Sequence, residues 1–126
     1  MYQQDWLMRQ IESITNMIAK FIFKKERVDY EIVEIPHFEA TNFLYKKLLA
    51  LLNEGRINEA ENLLFKSLDK TNLNYLSIGL DFYSRLNKFT DEELETFNFS
   101  RGELKKGLED LGQVFGVSPM FSLIDK

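Results

Sequence analysis

The sequence predicts an all-α protein: an N-terminal amphipathic helix, an extended connector, and a small antiparallel helical stack. Three observations point there. Apolar residues recur at spacings of three and four along most of the chain. Gly55, Thr90 and Ser100 sit where helices of ordinary length would stop or start. The alternating stretch that could be a strand is short and single. At 126 residues the chain makes one ordinary domain, and seventeen aromatics (eleven Phe, five Tyr, one Trp) supply ample core material. A domain of this size buries roughly 65–70% of the surface its unfolded chain exposes, so it needs no metal or disulfide to fold.

Residues 1–25 form the first unit. Leu7, Ile11, Ile14, Ile18 and Phe21 follow one another at 4, 3, 4 and 3 residues, which keeps a narrow stripe on one side of a helix over about 5–25. Asp5 is a candidate N-cap, and Lys20, Lys24 and Lys25 suit the negative end of the helix dipole. Residues 26–40 break the pattern: Val28, Tyr30 and Ile32 alternate with Asp29 and Glu31, and Pro36 follows. This reads as an extended acidic connector, with strand pairing across a dimer as the alternative.

Residues 41–126 form the helical stack. Leu44, Leu48, Leu51 and Leu52 mark a helix that Gly55 stops in a left-handed conformation. A second helix runs from about Ile57 to Leu68, and a third covers about 73–87 with Leu76, Leu80, Tyr83 and Leu86 inward. Thr90 with Glu93, and Ser100 with Glu103, have capping-box spacing; they start a short helix near 91–97 and a longer one near 101–114. Gly107 and Gly112 each weaken that last helix by ~1 kcal/mol relative to Ala. Ser118–Pro119 opens a final turn holding Phe121 and Ile124. The expected core includes Leu48, Leu52, Ala60, Leu64, Leu76, Leu80, Tyr83 and Leu108.

Composition closes several functional classes. There is no cysteine, hence no thiolate metal site, disulfide or cysteine nucleophile. His37 is the sole histidine, lies in the acidic connector, and reads as a surface residue rather than a general base. Neither a secretory leader nor an apolar run of about 18–20 residues is visible, so a cytoplasmic location is expected. The net charge is −4, and no basic track exists to neutralise phosphates, which argues against nucleic acid. The first helix carries too few cations on its polar face for a membrane surface. Asp91, Glu92, Glu93 and Glu95 read as first-turn carboxylates rather than a divalent-cation site, because an EF-hand's alternating ligands and central glycine are lacking. Gly107, Gly112 and Gly116 are not followed by Lys-Ser or Lys-Thr and do not make a phosphate loop. No catalytic, cofactor-binding or metal residue is assigned, and no cofactor is expected.

Helix, turn, helix, turn, helix across 42–87 resembles a tetratricopeptide-like stack. The first helix recurs at an offset of about 32, near the ~34-residue period. Gly55 and Ala60 match the turn glycine and the close-packing alanine, whereas Leu48 and Asn72 depart from the usual small residue and proline. The chain also resembles an uncharacterised family of small Firmicutes proteins, a bacterial domain of unknown function. That resemblance rests on Asp5–Ile11, Leu51–Leu64 and Leu80–Leu86 and covers all but the last ten or so residues. It implies a bacterial source and carries over no activity, ligand or site residue.

The expected function is therefore a non-catalytic protein–protein interaction module. Its groove should lie along the stack beside whichever of Phe43, Tyr45, Phe82 and Phe89 are exposed. The candidate interaction residues are Trp6, Leu7, Ile11, Ile14, Ile18 and Phe21. That stripe either caps the stack within the chain or pairs with the same helix of a second copy as a homodimer. The alternative from another class is a small-ligand binder or enzyme using carboxylates from the acidic stretches.

Overall fold

The computed structural model describes residues 2–29 and 35–117, and among these it holds six α-helices and no strand. The helices are α1 (Tyr2–Asp29), α2 (Ile35–Asn53), α3 (Ile57–Ser67), α4 (Leu73–Asn87), α5 (Asp91–Thr96) and α6 (Arg101–Val114). The all-α class holds, and the bounds of α3 to α6 fall within a residue or so of those the capping signals predict.

The connector over 26–40 is the main correction. Residues 26–29 continue α1, and 35–40 open α2; only 30–34 lie outside the described residues. Extending a helix already 20 residues long adds a hydrogen bond for each residue fixed, which favours carrying α1 past Lys25 to Asp29. Pro36 is accommodated because it stands in the first turn of α2, where a backbone N–H has no intrahelical acceptor. His37 therefore belongs to that first turn rather than to an extended segment. The predicted turn with Phe121 and Ile124 also lies outside the described residues.

Three helix ends close in the same way. Gly55, Asn98 and Gly116 have φ of 75°, 60° and 81°. In each case the next residue's N–H reaches back five positions: Arg56 to Leu51 O at 2.9 Å, Phe99 to Leu94 O at 2.9 Å, Val117 to Gly112 O at 2.8 Å. These bonds satisfy carbonyls that a helix end leaves open. At the starts, Thr90 Oγ1 accepts from the Glu93 N–H at 3.0 Å while Glu93 Oε1 accepts from the Thr90 N–H at 2.8 Å. Asn72 and Ser100 cap α4 and α6 by accepting from the N–H groups of Asn74 and Glu103. The acidic run thus sits on α5's first turn, where carboxylates meet the positive end of the helix dipole.

α1 packs against α4 and α6, α2 against α3 and α4, and α4 against α6. Leu48, Leu52, Ala60, Leu64, Leu76, Tyr83 and Leu108 are buried as expected. Leu80 is only half-buried; α4 instead turns Gly79 and Phe82 inward, and Phe82 is 2% exposed. The reason is a close helix crossing: a Cβ on Gly79 would lie 2.7 Å from Leu111 Cδ2, so the glycine face meets α6 and rotates Leu80 outward. Phe82 was a candidate for the groove and is a core residue.

A buried arginine ties the last elements together. Arg101 donates to the Asn87 carbonyl (3.0 Å), the Phe89 carbonyl (2.9 Å) and Asp91 Oδ1 (2.6 Å). Its guanidinium thereby pins the start of α6 to the α4–α5 turn, with Asp91 supplying the opposite charge.

Candidate functional site

The stripe proposed from sequence is mostly core. Ile11, Ile14 and Ile18 are fully buried, and Leu7 and Phe21 are partly buried against the same cluster. They face α4 and α6 of their own chain. Trp6 alone of the six stands out, 63% exposed. Of the two placements expected for the stripe, capping within the chain or pairing with a second copy, these contacts correspond to the first: most of its apolar area is packed in cis. Of the groove candidates, Phe43 is 68% exposed but stands outside the grooves described below, under the Lys47 ammonium at 5.9 Å. Phe89 packs edge-on against Phe97.

Tyr45 does line a groove. It runs between α2 and α4, with a volume of about 350 Å³, and is lined by Thr41, Asn42, Tyr45, Asn74, Ser77, Ile78 and Asp81. The spacing explains the alignment: 74, 77, 78 and 81 fall at i, i+3, i+4 and i+7 along α4, and 41, 42 and 45 cover one turn of α2. Tyr45 is held in place. Arg85 Nη2 donates to its hydroxyl at 2.8 Å, and Arg85 Nε donates to Asp81 Oδ2 at 2.7 Å. Among the described residues the side chains of Asn42, Asn74 and Ser77 make no hydrogen bond, so three polar groups face the groove unspent. Sequence reasoning singled out Tyr45 but missed both asparagines. The polar ridge of α4 was the signal for Asn74, and it reads equally well as a solvated face.

A second cleft lies between α3 and α6, lined by Glu61, Asn62, Phe65, Ser100, Gly102, Glu103, Lys106, Gly107 and Asp110. At its base the buried Tyr83 hydroxyl donates to Glu61 Oε2 at 2.5 Å. Gly107 allows the approach, since a Cβ there would collide with both Tyr83 Oη and Glu61 Oε2. Burial raises the Glu61 carboxyl pKa above its ordinary value, and Glu103 and Asp110 add to it, while the Tyr83 bond opposes. Burial first, then the Glu61 charge, pushes the Tyr83 phenol far up, so it stays a proton donor. Lys106 is engaged with Asp110 at 2.9 Å. Among the described residues no group of three or more His, Cys, Asp or Glu could hold a metal ion.

Comparison with known families decides the relationship: a model for a family of unknown function, DUF6483, matches residues 1–116. The chain belongs to the DUF6483 family. Neither the curated proteins nor the solved structures contain a match to it. In this DUF6483 chain no helix among the described residues is long and apolar enough to cross a membrane.

Proposed function

We propose that this chain is a non-catalytic protein–protein interaction module of a bacterial cytoplasm, and that the α2–α4 groove is its docking face. The single observation that carries the reading is the groove's lining. Polar side chains without partners converge over Ile78 beside a tyrosine whose ring is fixed by Arg85. Polar groups that converge on an apolar patch are what a recognition site requires, and a fixed aromatic wall lowers the ordering cost of binding. Two helices, α2 and α4, form the walls of the groove.

A second reading, a small-ligand site in the α3–α6 cleft, draws on Glu61, whose raised pKa in a cleft is the kind of perturbation functional carboxylates show. Homodimer formation through α1 is disfavoured in this proposal, because it would first have to withdraw Ile11, Ile14 and Ile18 from the core.

In-cell photocrosslinking tests the reading. A benzophenone amino acid replaces Asn42 in one chain and the exposed Glu12 in another. The reading expects a discrete heterologous adduct from position 42 that is absent from position 12. Adducts only with the chain itself, or equal adducts from both positions, would contradict it.

A further inference from the structure

We infer that the α2–α4 groove holds an extended segment of another protein by its main chain. The carboxamides of Asn42 and Asn74 each bond one peptide unit, and an apolar side chain of the segment lies between the Tyr45 ring and Ile78. The inference rests on the docking-face reading above and narrows it to one kind of occupant.

Three features select that occupant. A carboxamide offers a donor and an acceptor side by side, the same pair that a peptide unit presents. One such group stands on each wall, Asn42 on α2 and Asn74 on α4, and neither is used inside the chain. Charge is the second feature. Asp81 is the sole charged residue of the lining, and Arg85 already engages it, so the groove presents a neutral face and would not reward a charged ligand. Length is the third. From Asn74 to Asp81 the α4 ridge is about 10 Å long at 1.5 Å per residue, which matches about three residues of extended chain at roughly 3.3 Å each. The Asp81–Arg85–Tyr45 contacts hold the aromatic wall in position.

The test uses a phage-displayed library of random linear peptides selected on the full-length chain, with affinities of the selected peptides measured by fluorescence anisotropy. Three variants are compared with the parent: Asn42→Ala with Asn74→Ala, Tyr45→Ala, and the groove-filling Ser77→Trp. Ser77→Lys replaces the last if the tryptophan unfolds the chain, and helical circular dichroism verifies folding of each. Binding should weaken at least tenfold in the double asparagine variant, and at least tenfold when one main-chain amide of the peptide is N-methylated. It should change less than twofold between 50 and 500 mM salt. Peptides blocked by Ser77→Trp yet indifferent to asparagine removal and to N-methylation would overturn the inference while leaving the docking face standing. Peptides that bind Ser77→Trp as well as the parent would overturn both. A library that yields no binder, or a groove that only a second copy of the chain occupies, would also overturn the main-chain inference.

Discussion

Glu61 carries a charge that the fold leaves half-buried with a neutral phenol, not a cation, as its hydrogen-bond partner. Its folded pKa lies above its unfolded one, so the folded chain binds the extra proton and stability falls as pH rises through that window. In urea titrations the unfolding midpoint should therefore decrease as pH climbs from the ordinary glutamate range toward neutrality. Glu61→Gln keeps an acceptor for Tyr83 and removes the charge. It should flatten that dependence and be at least as stable as the parent at pH 7; an unchanged slope would show that Glu61 does not titrate as described. Gly107 belongs to the same contact. Ala normally favours a helix over Gly by ~1 kcal/mol, yet Gly107→Ala should destabilise by about 1–3 kcal/mol through overlap with Tyr83 and Glu61. From sequence alone Gly107 looked like a weakness of α6, because the contact that requires it joins residues on three different helices.

Among the elements, α3 to α6 were legible because each carries its own local signal. Gly55 ends one helix, and Thr90 and Ser100 start others through their own hydroxyls. The last turn of α1 and the start of α2 were not, since in the sequence the Val28–Ile32 alternation reads as a strand and Pro36 as a break. Leu80 failed for a different reason: the glycine-against-Leu111 crossing, a tertiary contact, sets the rotation of α4. The groove was partly legible, through Tyr45, but free asparagines on a helix surface look alike whether or not they flank a groove. Two substitutions in α1 separate its faces. Ile14→Ala, at a fully buried position, should cost about 2–5 kcal/mol in chemical denaturation. Trp6→Ala, at an exposed one, should stay within about 0.5 kcal/mol of the parent. Equal effects would mean that α1 does not pack as described.

For the whole molecule, α1 is the lid of the core and α2 with α4 the face left over. α1 packs against α4 and α6, both in the second half of the chain, and so joins the two ends of the helical array. With Ile11, Ile14 and Ile18 buried against their own chain, the proposed reading predicts a monomer that folds without a second copy and leaves the α2–α4 groove open. The measurement that tests this division most directly is absolute mass by light scattering, with circular dichroism, on the full-length chain and on one lacking residues 1–25. The expected result is a full-length monomer near 14.9 kDa and a shortened chain that loses its helical signal. A full-length dimer that becomes a folded monomer on removal of residues 1–25 would contradict it, making α1 the association surface and not part of the core.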